Sequence, residues 1–154
     1  MSRAFVKDGE GLELEALPEL VVSPHRNFVT PGGLARIETT LARLDSELSA
    51  ARTAGDRDRL ARVERDLRYW RQRRVSAEVV VPEHAPQVVR FGCRVRLVTG
   101  NGERLGYRIV GEDEADPGRG LLSYVSPLAA ELLGCAVGDE IRLRGDSAGI
   151  EAIE

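Results

Sequence analysis

Lysine is nearly missing from this chain of 154 residues: Lys7 stands alone, and every other basic side chain is arginine. Cysteine is almost as scarce. Cys93 and Cys135 lie far apart and neither belongs to a CxxC pair, which excludes zinc-ribbon and thioredoxin-type spacings. Cys93 alternates with Phe91, Val95 and Leu97 and reads as a buried thiol on the inner face of a strand. His25 and His84 are isolated, so no zinc constellation is available and no stably bound metal is expected. Aromatic residues make up 5% of the chain, too few to interleave with basic residues as a stacking platform for single-stranded nucleic acid.

No apolar run approaches the length of a membrane span, and the start MSRAFVKDGEG lacks the apolar core of a signal peptide. A reducing cytoplasm is the expected compartment, with no membrane contact. Nucleotide-hydrolysing machinery is missing as well. Asp113-Glu114-Ala115-Asp116 spells a helicase motif, but no GxxxxGK[ST] accompanies it and the chain is too short for two nucleotide-binding lobes. That run is read instead as an acidic turn solvated at the surface. Ser123 and Ser126 have no positioned base, so neither a cofactor nor an active site of its own is expected. A formal net charge of −3 argues against a general nucleic-acid coat, although the charges are unevenly placed.

What is present divides the chain into four stretches of an α+β protein. Residues 1–28 are rich in acidic residues, Gly and Pro and read as an extended or disordered acidic arm. Residues 29–78 read as an antiparallel coiled-coil hairpin with its tip at 53–58. Thr30-Pro31 is an N-cap followed by proline at the first helical position. Leu34, Ile37, Leu41, Leu44, Leu48 and Ala51 follow at spacings of 3, 4, 3, 4 and 3, an a/d seam. Gly55 supplies the left-handed residue that ends a helix. Leu60, Val63, Leu67 and Trp70 then repeat the seam, and so short a connection favours an αα-hairpin. Tyr69, Trp70 and Val75 are expected to dock the base of this rod on the rest of the protein.

Residues 79–87 read as a linker, and residues 88–154 as a sheet with one short helix. VVRFGCRVRLVT alternates as an antiparallel strand does, Gly100-Asn101-Gly102 is hairpin chemistry, and RLGYRIVG returns. LLSYV is a further strand, Ser126-Pro127 caps the helix LAAELLG, and two closing strands follow at 139–144 and 148–153.

The hairpin's second arm carries Arg57, Arg59, Arg62, Arg65, Arg68, Arg71, Arg73 and Arg74 against Asp58, Glu64 and Asp66. Either these form a solvated face with local pairs, or they dock on an acidic protein channel or a nucleic-acid backbone. The last alternative makes the chain an Arg-rich nucleic-acid-binding adaptor.

VRFGCRVRL, YRIVGEDEADPGRGLLSYVSPLAAELLG and VGDEIRL resemble the FG-x-x-V-x-L, YRIVG-x-DE-A, S-x-x-SPLA-x-x-LLG and VGDE pattern of the GreA/GreB family of bacterial transcription factors. VTPGGLARI resembles that family's T-x-x-G-x-x-x-L opening, and GDR with RLARVERDLRYW its GreB-type segments. The resemblance implies an FKBP-like C-terminal domain, an antiparallel sheet with one short helix. It implies binding to bacterial RNA polymerase as a monomer, with Ser126, Pro127 and Leu128 on the rim of the secondary channel and the hairpin in its mouth. Arg57, Arg59, Arg62 and Arg65 form the hairpin's basic face, with indirect contact to nascent RNA. In cleavage-competent members an acidic pair in a GD-x-SENAEY-like tip shares Mg²⁺ with the polymerase, whose own active site then hydrolyses RNA.

Here Asp56 matches the first acid, while the segment that holds the second is missing. Asp58 is either a displaced second carboxylate or the N-cap of the second helix. The missing residues shorten the rod by about 12–15 Å relative to the family's usual one. The expectation is therefore a channel-docking regulator of elongation whose cleavage stimulation is weak or absent. A true cleavage factor donating Asp56 and Asp58 is the alternative.

Overall fold

The computed structural model describes residues 17–154, so the first 16 residues of the expected arm lie outside the described residues. Strand β1 (Asn27–Val29) leads into helix α1 (Pro31–Ala54), which turns at Gly55 into helix α2 (Arg57–Ser76) and strand β2 (Ala77–Val79). The helices lie side by side and in opposite senses, because Glu38 pairs with Arg74, Asp45 with Arg71 and Arg52 with Glu64. Leu44, Val63 and Leu67 are buried in the seam, and Leu41, Leu48 and Trp70 pack around them. At 1.5 Å per residue the 24 and 20 helical residues make arms of about 36 and 30 Å.

β1 and β2 are parallel, with Asn27 opposite Ala77 and Val29 opposite Val79. Parallel strands need a long crossover between them, and here the whole hairpin is that crossover. The expected boundaries move accordingly: the last residues of the arm and the first of the linker are strand, because each supplies hydrogen bonds that the other lacks. The Val80 N–H extends the ladder to the Val29 carbonyl at 2.9 Å.

The second unit is a five-stranded sheet in the order β5-β4-β3-β7-β6, built from β3 (Arg94–Thr99), β4 (Arg104–Val110), β5 (Leu121–Ser123), β6 (Glu140–Leu143) and β7 (Asp146–Ile153). Helix α3 (Pro127–Leu132) covers one face. Val95, Leu97, Ile109, Leu132 and Ile150 form the centre of its core. Cys93 is buried just before β3, where its small apolar thiol fits that core. The sheet is not wholly antiparallel: β4 and β5 run parallel, Arg108 opposite Leu121 and Val110 opposite Ser123. Their connection is therefore a crossover over the sheet edge, residues 111–120, rather than a hairpin.

That crossover holds the two units together and overturns the reading of its acidic run as a solvated turn. The Arg73 side chain, 1% exposed, donates from Nε to Asp113 Oδ2 at 2.5 Å and from Nη2 to Asn27 Oδ1 at 2.6 Å. Glu112 Oε2 adds its charge 3.6 Å from the same guanidinium. Tyr69 donates its hydroxyl to the other Asp113 oxygen at 2.5 Å. Glu114 accepts from the Thr30 hydroxyl at 2.6 Å and the Thr30 N–H at 3.3 Å, while the Thr30 hydroxyl oxygen caps α1 by accepting from Gly33 N–H at 2.9 Å. A Cβ at Gly33 would stand 2.3 Å from a Glu114 oxygen, so a larger residue there has to displace the carboxylate from Thr30. Beside these polar contacts, Phe28, Phe91 and Tyr124 meet with ring centroids 5.4–6.0 Å apart.

Of the expected docking residues only Tyr69 contacts the second unit in this way. Trp70 packs on the helical seam, and Val75 is 87% exposed because the face that turns inward carries Arg73 instead.

Removing one partner of a buried ion pair leaves the other uncompensated, so Arg73→Ala is expected to cost about 3–5 kcal/mol, read as a lower urea midpoint. Arg74→Ala, whose exposed pair with Glu38 is worth at most about 1 kcal/mol, serves as the comparison. Burial, and then the hydrogen bond to the Asp113 carboxylate, push the Tyr69 phenol from its ordinary 10.0 up to about 12. A raised folded pKa contributes stability that is complete below the unfolded value and is lost as pH rises toward the folded one. Tyr69→Phe is therefore expected to lose less stability than the parent chain between pH 10 and 12, measured by chemical denaturation at each pH.

Candidate functional site

The hairpin tip is a two-residue turn. Gly55 adopts φ 66° and ψ 22°, and the N–H groups of Gly55 and Asp56 return to the Arg52 and Ala51 carbonyls at 3.2 and 3.1 Å. This left-handed closure satisfies carbonyls that the end of α1 leaves open. Asp56 then caps α2: its backbone is extended, and its Oδ1 accepts from Arg59 N–H at 3.0 Å. Asp58 is therefore not the N-cap. It sits in the first turn of α2, exposed, where the helix dipole favours its charge.

The tip presents two exposed carboxylates, one partly committed to the backbone and one free of any hydrogen bond among the described residues. No group of three His, Cys, Asp or Glu side chains placed to hold a metal occurs among the described residues. A divalent cation held at this tip requires further oxygen ligands from a partner, because two carboxylates leave most of its coordination unfilled.

The basic face divides along its length. Toward the base, Arg65 pairs with Asp66, Arg68 with Glu19, Arg71 with Asp45 and Arg74 with Glu38. Toward the tip, Arg57, Arg59 and Arg62 are exposed and form no ion pair among the described residues. Glu19 belongs to the stretch that precedes β1, so part of the acidic arm lies against α2, with its Oε1 2.5 Å from Arg68 Nη2.

Ser126, Pro127 and Leu128 form the corner between β5 and α3. The Ser126 hydroxyl oxygen caps α3 by accepting from Ala129 N–H at 3.3 Å. Pro127 is exposed, Leu128 packs partly against the core, and Val125 beside them is 37% exposed. The corner adjoins the hairpin's base, because Tyr124 donates its hydroxyl to the Arg26 carbonyl. Base and tip are separated by the rod, so Asp56 and Asp58 share no pocket with Ser126, Pro127 and Leu128. One element carries two distant surfaces, and the Arg73 cluster fixes their relation.

That cluster is what reading the sequence missed. Its only signal was three consecutive carboxylates, Glu112 to Glu114, beside an arginine-rich helix end, and spacing alone did not distinguish Arg73 from its neighbours.

The family profile "Transcription elongation factor, GreA/GreB, C-term" matches residues 83–152. The chain is 39% identical over 134 residues to Transcription elongation factor GreB of Xanthomonas axonopodis pv. citri, covering 73% of this chain and 79% of that one. It is 35% identical over 136 residues to Transcription elongation factor GreA of Anaeromyxobacter sp., covering 75% and 82%. Among solved structures, the prokaryotic transcription elongation factor GreA/GreB from Nitrosomonas europaea is similar at 25% identity and a TM-score of 0.40, covering 82% of this chain and 98% of that one.

The two tip aspartates are separable by stability. Asp56→Ala removes a cap and is expected to cost about 1 kcal/mol. Asp58→Ala removes only a dipole interaction, at about 0.3–1 kcal/mol at low salt, and its effect fades as salt is added. Thermal unfolding at two salt concentrations distinguishes them.

Proposed function

The chain belongs to the GreA/GreB family of transcription elongation factors, and on that premise we propose that it binds bacterial RNA polymerase at the secondary channel and regulates elongation. The C-terminal unit, read as FKBP-like, sits on the channel rim through Ser126, Pro127 and Leu128, and the hairpin occupies the channel mouth. Arg57, Arg59 and Arg62 face the acidic or phosphate-bearing surroundings there, while Arg65, expected beside them, is already paired with Asp66.

The observation that carries this reading is the tip: two carboxylates on a two-residue turn at the end of a short rod fixed to the C-terminal unit through Arg73. Metal coordination works only within about 2.0–2.6 Å, so a rod shortened by several ångströms loses the contact rather than weakening it. Asp56 also spends one oxygen on Arg59 N–H. Both points favour a regulator that stimulates transcript cleavage weakly or not at all, with catalysis remaining the polymerase's own.

One observation supports the rival reading as a true cleavage factor. Asp58 is exposed and unbonded among the described residues, two positions from Asp56, and so could complete a carboxylate pair on a Mg²⁺ held by the polymerase.

Core polymerase is expected to retain the chain in a pull-down, and Pro127→Asp, at an exposed position, is expected to weaken retention markedly while leaving the fold intact by circular dichroism. A parent chain that is not retained where a full-length family member is retained would sink the proposal. Incubated with a backtracked complex and Mg²⁺, the chain is expected to produce little transcript shortening. Rapid shortening that disappears in both Asp56→Ala and Asp58→Ala assigns it to the cleavage factors instead.

A further inference from the structure

The outer face of the five-stranded sheet carries arginines that neither the hairpin nor the β5–α3 corner uses. Along β3, Val95 and Leu97 enter the core while Arg94 and Arg96 face outward. β4 matches it in register: Arg94 lies opposite Arg108, Arg96 opposite Gly106, and Val98 opposite Arg104. Two of these arginines are neutralised within the protein, Arg96 by Glu154 at 2.8 Å and Arg104 by Glu151 at 3.2 Å.

Arg94 and Arg108 are not. Like charges directly opposed on paired strands disfavour the sheet, yet neither residue has an ion-pair partner among the described residues. The Arg108 guanidinium donates only to the Gly92 carbonyl, at 3.3 Å. Arg119, exposed on the turn before β5, reaches the same place and likewise forms no ion pair among the described residues.

The ground between them is open. Nothing stands within 4 Å of where a Cβ on Gly106 would be, and Gly120 lies close beside it, its own Cβ position 2.5 Å from the Gly106 carbonyl oxygen. Arg94, Gly106, Arg108, Arg119 and Gly120 line a shallow depression of about 210 Å³. A second depression, of about 340 Å³, shares Arg94 and Gly106 with the first and continues along Arg96 and Arg104, with Glu154 in its lining paired to Arg96.

The guanidinium forks of the first depression, grouped without a carboxylate in its lining around an open floor, suit oxyanions arriving from outside. Three unpaired arginines, spread over β3, β4 and the turn before β5, are more than one small anion needs. No exposed large hydrophobic residue lines either depression, so the surface lacks the apolar anchor on which a folded protein partner depends. We infer that this face binds the phosphate backbone of a nucleic acid strand, with Arg94, Arg108 and Arg119 pairing with phosphates over Gly106 and no base being read. The surface lies apart from the hairpin arginines, and the inference does not depend on polymerase binding.

The test is fluorescence anisotropy of a labelled single-stranded RNA of mixed sequence, titrated with the full chain at several salt concentrations. The parent chain is expected to bind with a salt slope that falls by about 0.7 for each phosphate contact removed, hence by about 1.4 in Arg94→Gln with Arg119→Gln. Gly106→Glu gives an independent reading with the opposite effect on the fold. Its carboxylate fills open space beside unpaired arginines, so the melting temperature is expected to hold or rise while RNA affinity drops about tenfold or more. Arg57→Gln with Arg59→Gln and Arg62→Gln leaves the sheet's phosphate contacts in place and is expected to lose less affinity than the sheet variants. The inference is overturned if the parent binds no RNA, if the sheet variants keep the parent's affinity and slope, or if only the hairpin variant loses binding. It is also overturned if polyglutamate of matched charge competes as well as unlabelled RNA, which assigns the face to an acidic protein.

Discussion

A single buried guanidinium decides how this molecule is put together. Arg73 lies where the hairpin base meets the sheet's crossover, and its charge is tolerated only because Asp113, Asn27 and Glu112 surround it. Such a cluster adds little net stability over an apolar plug, but it accepts one geometry, because any displacement strands a charge away from water. Tyr69 and Glu114 extend it, the first holding the second oxygen of Asp113 and the second tying the crossover to the cap of α1. Strand β1 is caught in the same place, since Asn27 both accepts from Arg73 and donates to its carbonyl at 2.8 Å.

From that joint the remaining geometry follows. A two-helix rod buries too little to fix its own direction, and its seam rests on a few residues such as Leu44, Val63 and Leu67. Anchored at Arg73, the rod becomes a lever of defined aim, with Asp56 and Asp58 at its far end and the Ser126 corner near its root. The reach of the tip is then a matter of residue count at 1.5 Å apiece, which is why the short tip weighs so heavily in the functional reading.

Charge on this protein is sorted by whether it is answered. Arginines near the hairpin base meet Glu19, Glu38 and Asp45, and those on one side of the sheet meet Glu151 and Glu154. Arg57, Arg59 and Arg62 near the tip, and Arg94, Arg108 and Arg119 on the sheet, meet no carboxylate among the described residues. The division explains how a chain of net negative charge still carries two surfaces suited to anions.

The sequence alone determined what depends on neighbours a few positions apart: the a/d seams, the Thr30 and Ser126 caps, the stop at Gly55, and the alternation that buries Val95 and Leu97. It also carried the family through the motifs between residues 89 and 143. Cap competition was only half legible, because Asp56 and Asp58 are both good N-cap residues and the choice rests on where the turn at Gly55 releases the chain. Tertiary structure alone decided that Arg73 is buried while Arg74 is exposed, and that Asp113 and Glu114 are structural rather than solvated. It also decided that β1 meets β2 and β4 meets β5 in parallel, and that Arg94 faces Arg108. Each of these joins residues that no local period relates. A periodicity reports which face of an element turns inward, whereas the partner waiting there is set by the packing of the whole chain.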